Sequence, residues 1–309
     1  MNVNDRITKI LSHWDLQDSE IHPVSDTVWQ AGDRYVLKQY QDPVMLERNL
    51  KILKILDERG IPVGQVIPTQ DQTLYVSDEG FYYFLSRKLA GNNLVQISNI
   101  RETAQTMGEV IAELHLAFQS CEAEEEFWDN HLLDEMNGWV REYIEKSDGK
   151  YIDREEYENV VSRLAEFNDR LPVQLIHRDV HFGNFLFSEG KFSGYIDFDL
   201  SQRNIRLFDL CYFLLGLQSE EEELALTEKE WFEFLEYTFK GYEKISPLSK
   251  PEKQAVPCVM ECIELLFAAW FDHAGDLVCA RNAFQIYEFV KEREDAIWQI
   301  LFYHSSVFP

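Results

Sequence analysis

The rhythm of hydrophobic and polar residues changes about a third of the way along the chain. Near the N-terminus, Val3, Ile7, Ile10, Leu11 and Trp14 share one face of a helix predicted over residues 3–14. Short strand-like runs follow at 21–24, 27–31 and Tyr35–Tyr40, with Gly32 and Asp33 as a hairpin turn between the last two. Leu46, Leu50, Leu53 and Leu56 then recur at helical spacing and predict a helix over Pro43–Glu58, stopped at Gly60. Two more strands, at 74–77 and 81–85, complete a small unit of mostly antiparallel sheet with one helix.

Residues 86–93 (SRKLAGNN) have the turn chemistry of a linker. Beyond them helical periodicity dominates, at 101–118, 127–146, 154–170, 208–217, 228–244, 256–274 and 283–303. Two apolar runs interrupt it, Val173–Ile176 and 192–196, each reading as a short buried strand. The acidic run at 220–223 reads as an exposed loop or helix start. The pattern therefore predicts an α+β protein: a β-rich lobe over residues 1–88, a hinge near 88, and a larger helical lobe over 89–309.

Charge narrows the partners. The 309 residues carry 55 acidic and 29 basic side chains, a formal net charge of -26. Nucleic-acid binding is not expected, since it requires basic surface, and no polybasic stretch points to anionic lipid. Residues 121–170 hold 16 acidic and 6 basic side chains, an excess that would attract a cation. Five scattered cysteines fit reduced core thiols in a cytoplasmic protein. The N-terminus is too charged for a signal peptide, and no stretch approaches the roughly 18 apolar residues of a membrane span. The pattern leaves the oligomeric state open.

The chemistry concentrates in LIHRDVHFGNFLFSEGKFSGYIDFD, residues 175–199. His177, Asp179 and Asn184 lie between the two short strands, and Asp197 closes the second. A carboxylate at a buried strand end is costly without a partner. Asp197 and Asn184 supply oxygen ligands suited to Mg²⁺, and Asp179 suits a group that accepts or orients a hydroxyl proton. The same residues also serve as ordinary turn caps in many proteins.

HRDVHFGN followed by IDFD resembles the catalytic and metal-binding segments of the aminoglycoside phosphotransferase and choline kinase superfamily. That resemblance implies a two-lobed protein-kinase-like fold, with a small antiparallel-sheet N-lobe and a larger mostly helical C-lobe. It implies ATP and Mg²⁺ as cofactors, Asp179 as catalytic residue, and Asn184 and Asp197 as metal ligands. Lys38, in YVLKQY, corresponds to the family's phosphate-binding lysine, and Glu47 on the next helix to its ion-pair partner. Residues 86–91, Ser86 and Lys88 among them, correspond to the segment that reads adenine. The loop over the phosphates, 23–29, has no glycine, so the hydroxyls of Ser25 and Thr27 are the expected donors there. Asp209, in RLFDLCYF, matches a recurrent family position that looks structural.

The expected activity is phosphoryl transfer from ATP to an alcohol group of a small molecule, including a cationic, aminoglycoside-, choline- or homoserine-like one. Asp199, His181, Trp270 and Asp272 are the candidate substrate residues, with Trp139 and Phe271 as further aromatics near them. Two alternatives stand beside this: a protein Ser/Thr kinase of the same superfamily, and a non-catalytic relative with a structural role. Only residues 199–206 separate the metal motif from the next predicted helix, which leaves little room for a peptide-binding segment.

Overall fold

The computed structural model describes residues 3–147, 150, 152–218 and 224–303. The acidic run expected at 220–223 lies outside the described residues. The chain divides into two compact units. The first runs to Asn93 and adds Ala123–Glu125 and Phe182–Asp199; the second takes Leu94–Glu122, Glu126–His181 and the described residues from Leu200 on.

In the first unit, α1 (Val3–Leu11) precedes β1 (Ile21–Ser25), β2 (Val28–Ala31) and β3 (Tyr35–Tyr40). Then come α2 (Pro43–Glu58), β4 (Val66–Ile67), β5 (Val76–Asp78) and β6 (Phe81–Arg87). The strands form one antiparallel sheet in the order β1-β2-β3-β6-β4, with β5 also paired to β6. Its register sets Trp29 opposite Leu37 and Leu37 opposite Leu85. Side chains alternate across a strand, so these residues share one face, where they pack on Ile7, Ile10, Leu11 and Trp14. The same register sets Lys38 between Val28 and Phe84 on the opposite face. On α2, Asp42 caps the first turn by accepting from the Val44 N–H at 2.9 Å.

Four further strands surround the motif: β7 (Val173–Ile176), β8 (Phe185–Ser188), β9 (Lys191–Tyr195) and β10 (Gln202–Ile205). β8 and β9 form a hairpin within the first unit. In the second unit β7 pairs with β10.

Nine helices complete the described chain: α3 (Ile100–Glu124), α4 (Leu132–Glu135), α5 (Arg141–Lys146), α6 (Arg154–Asn168), α7 (Leu207–Gly216), α8 (Glu228–Ile245), α9 (Lys250–His273), α10 (Leu277–Glu292) and α11 (Glu294–Tyr303). α9 is the central one, packing on α6, α7, α10 and α11. It starts earlier than predicted because Ser249 and Glu252 form a capping box. By length and composition α9 is apolar enough to cross a membrane, contrary to expectation, but 78% of its apolar window is buried inside the protein. The helix expected over 127–146 is broken, because Gly138 leaves helical geometry at φ -94° and ψ -114°. The one expected over 283–303 is two, divided at Arg293.

Candidate active site

Each unit carries part of the predicted site. On the inner face of the sheet, a cavity of about 380 Å³ is lined by Val28, Val36, Phe84, Leu186 and Phe198, with Lys38 and Asp197 also in its wall. The Lys38 ammonium lies 2.9 Å from Asp197 Oδ1 and 2.6 Å from Asp199 Oδ2. Burial pulls its pKa down, but the two carboxylates outweigh that and hold it above the ordinary lysine value. Tyr40 donates to Asp199 Oδ1 at 2.5 Å and accepts from Asn49 Nδ2 at 2.5 Å. Asn49 is buried, and its Oδ1 has no partner among the described residues.

This arrangement corrects the expected Lys38–Glu47 pair. Glu47 is exposed on α2 and, among the described residues, makes no ion pair with Lys38. The helix buries Leu46, Asn49, Leu50 and Leu53, which turns Glu47 toward solvent and Asn49 toward the cavity. Ser25 ends β1 and Thr27 sits in the tight turn before β2; both are exposed, and Val24 and Val28 line the cavity from this hairpin. Ser86 and Lys88 both line the cavity, and Lys88 also donates to Gln30 Oε1 at 2.7 Å.

The β8–β9 hairpin brings the metal motif to this unit. Asn184 closes a 3-10 turn, Phe182–Asn184, that Asn93 clamps: its Nδ2 donates to the turn carbonyls of Phe182 at 3.3 Å and Gly183 at 2.6 Å, and to that of Phe185, the first residue of β8, at 3.2 Å. The Ile196 N–H donates to the Asn184 carbonyl at 3.0 Å, tying the two ends of the motif together. Asp197 has φ of 63°, a left-handed conformation uncommon outside glycine and found where a structure holds a side chain for a purpose. At Gly91, φ is 106° and an added Cβ would lie 2.5 Å from the Phe187 carbonyl oxygen, so only glycine fits where the linker crosses β8.

In the second unit, Asp179 follows β7 through a strained turn. Arg178 has φ of 67°, and Asp209 holds the turn: it accepts from the N–H groups of His177 and Arg178, both at 2.8 Å. His115 Nε2 lies 3.0 Å from the same carboxylate. The Arg178 side chain is anchored on Glu135 at 2.9 Å. His177 is fully buried, and its Nδ1 accepts from the Asp179 N–H at 3.3 Å.

Asp179 opens into a cavity of about 440 Å³ with His181, Tyr212, Glu264, Phe267 and Phe271 in its wall. Tyr212 donates to Asp179 Oδ1 at 3.1 Å, and His181 Nε2 lies 3.6 Å from Oδ2. Burial pushes the Asp179 carboxyl up, but His181, His177 and the Tyr212 hydroxyl outweigh it and hold it below the usual carboxylate range.

Of the expected substrate residues, His181 lines this cavity, and so does Phe271. Asp199 belongs instead to the Lys38 cluster. Trp270 is 52% exposed and does not line the cavity. Asp272 is also absent from its wall and is engaged by Lys150 and Tyr143. Tyr212, Glu264 and Phe267 were missed. Their signal was the spacing of Glu264, Phe267 and Phe271 on one face of α9, and of Tyr212 one turn beyond Asp209.

A model of the phosphotransferase enzyme family matches residues 21–249. The chain belongs to that family. The phosphotransferase is 25% identical over 263 residues to a homoserine kinase of Neisseria meningitidis serogroup B (strain ATCC BAA-335 / MC58), covering 81% of this chain and 80% of that protein. It superposes on an amicoumacin kinase in complex with AMP-PNP, Ca²⁺ and Ami with a TM-score of 0.68, at 17% identity, over 96% and 94% of the two chains. A microcompartment-associated aminopropanol kinase gives a TM-score of 0.66 at 16% identity, over 94% and 98%. These likenesses bear out the protein-kinase-like α+β fold of the phosphotransferase.

Proposed function

We propose that this phosphotransferase is an ATP- and Mg²⁺-dependent kinase that transfers the γ-phosphate to a hydroxyl of a small molecule. The observation that carries the reading is the Lys38 ammonium held between Asp197 and Asp199 at the wall of a largely apolar cavity. A nucleoside triphosphate needs an apolar slot for its base and a fixed cation for its phosphates. The segment 86–91 offers backbone groups for the base, and Lys38 serves the α- and β-phosphates.

The donor set fits Mg²⁺. Asn184 and Asp197 supply oxygen ligands, and the Asp197 side chain is 45% exposed. Among the described residues no cluster of three or more His, Cys, Asp and Glu side chains forms a complete metal cage. That suits an ion held by one or two protein groups together with substrate phosphates. When bound, Mg²⁺ supplies charge neutralisation for the phosphates.

Asp179 serves the acceptor. Because its carboxyl is held below the ordinary range, it is a weak base and a good acceptor of a hydroxyl hydrogen bond, so its task is to orient the attacking oxygen. Catalysis of this kind rests on positioning and electrostatics more than on proton abstraction. A small acceptor is favoured over a protein by the homoserine kinase and aminopropanol kinase likenesses. The cysteines form no disulfide among the described residues, which accords with a cytoplasmic setting.

Calorimetric titration with Mg·ATP tests the reading. Wild-type protein and Asp179→Ala should bind alike, while Asp197→Ala should lose at least tenfold in affinity. Absence of Mg·ATP binding by the wild type sinks the proposal.

A further inference from the structure

The cavity that holds Asp179 contains a second acid that the proposed transfer does not use. Glu264, on α9, is only 6% exposed and lines the cavity wall. Four glutamates are buried among the described residues: Glu135, Glu252, Glu261 and Glu264. The first three each face an arginine, Arg178, Arg206 and Arg163 respectively. Glu264 has no hydrogen-bond or ion-pair partner among the described residues. Burial, with nothing to offset it, pushes its carboxyl up to about 8.

A buried carboxyl without a partner is a standing cost to the fold, and a bound cation is the ligand that removes it. The surroundings suit one. The Tyr212 and Phe267 rings lie 5.4 Å apart between centroids, and Phe267 and Phe271 lie 6.0 Å apart. Glu264, Phe267 and Phe271 fall on one face of α9, so acid and aromatic faces are presented together. A neutral polyol could hydrogen-bond the acid but would leave its ionised form without a counter-charge, and an anion would be repelled by Asp179 and by Glu264 once it ionises.

We propose that Glu264 is the specificity-determining residue for the acceptor and binds its ammonium group, which makes the substrate an amino alcohol. The hydroxyl half of that statement rests on the kinase reading; the ammonium half does not. Its test therefore omits nucleotide. Ethanolamine, 3-amino-1-propanol, choline and L-homoserine are titrated calorimetrically into the full-length protein, with 1,3-propanediol and 1,4-butanediol as neutral counterparts. At least one ammonium probe should bind tenfold or more tightly than either diol. Glu264→Gln should weaken that probe at least tenfold and leave the diols unchanged, whereas Asp179→Asn should weaken it less.

Equal binding of diols and amines by the unmodified protein overturns the proposal, and that comparison needs no variant to fold. So does absence of binding by every ammonium probe, unchanged affinity in a folded Glu264→Gln protein, or a larger loss from Asp179→Asn. Amine binding without Mg·ATP binding would sink the kinase reading and leave the Glu264 site standing. Phosphorylation of a diol as readily as of its amine would do the reverse.

Discussion

Glu264→Gln should stabilise the empty protein, by an amount that grows with pH. In the folded state the carboxyl titrates near 8 instead of its ordinary 4.5, because it is buried without compensation. Between those values the folded protein holds a proton that the unfolded chain has released. Stability is therefore lost as pH rises through this window. Linkage makes the loss roughly 3 kcal/mol at pH 7 and roughly 5 kcal/mol at pH 9, as an upper range. Glutamine is close in shape and does not titrate, so the variant escapes the loss.

Urea denaturation of both proteins at pH 5, 7 and 9 gives the difference directly, since titrations common to both cancel. Asp179 and Cys279 share the cavity but take their shifts from other groups, so they are among those that cancel. The variant should match the wild type near pH 5 and exceed it by several kcal/mol at pH 9. A difference that is flat with pH, or a variant that is weaker at pH 9, would refute the reasoning. A stabilising substitution at a ligand site is the behaviour expected when a residue is kept for binding at the expense of the fold.

Three other outcomes follow from the geometry. Asp209→Ala leaves the His177 and Arg178 N–H groups and His115 without their acceptor; it should cost about 3–5 kcal/mol in urea denaturation, with loss of Asp179 placement. Gly91→Ala forces a Cβ onto the Phe187 carbonyl at positive φ and should lower stability by at least about 2 kcal/mol in the same assay. Lys38→Met removes the cation from two adjacent carboxylates; calorimetry should show Mg·ATP affinity reduced tenfold or more, with a folded melting transition retained.

Much of the first unit is legible in its sequence for physical reasons. β3 and α2 fall where predicted, because the apolar run Tyr35–Leu37, aromatic and β-branched at its start, after the Gly32–Asp33 turn and an Asp-Pro cap before Leu46 are strong local signals. β4, β8 and β10 were missed; each is short, and β4 and β10 pair with strands that are not their chain neighbours. The breaks at Gly138 and Arg293 were hidden because apolar spacing continues across them. In the site, the HRDVHFGN and IDFD motifs announce Asp179, Asn184 and Asp197, but the phase of α2 against the sheet is a tertiary property. Glu47 was therefore taken as the partner of Lys38, whereas packing turns it to solvent and turns Asn49 toward the cavity. Glu264 was unreadable as a site residue because it lies in a long apolar helix, where only its missing partner sets it apart.

The central claim is γ-phosphate transfer to an acceptor hydroxyl oriented by Asp179. Its most direct measurement is phosphorus NMR of Mg·ATP with each amino-alcohol probe, comparing wild type and Asp179→Asn. The wild type should convert ATP to ADP with a matching phosphomonoester signal on one acceptor, and Asp179→Asn should slow that signal about 10²–10⁴-fold while binding Mg·ATP normally. Phosphoester formation at an undiminished rate in Asp179→Asn would contradict the account.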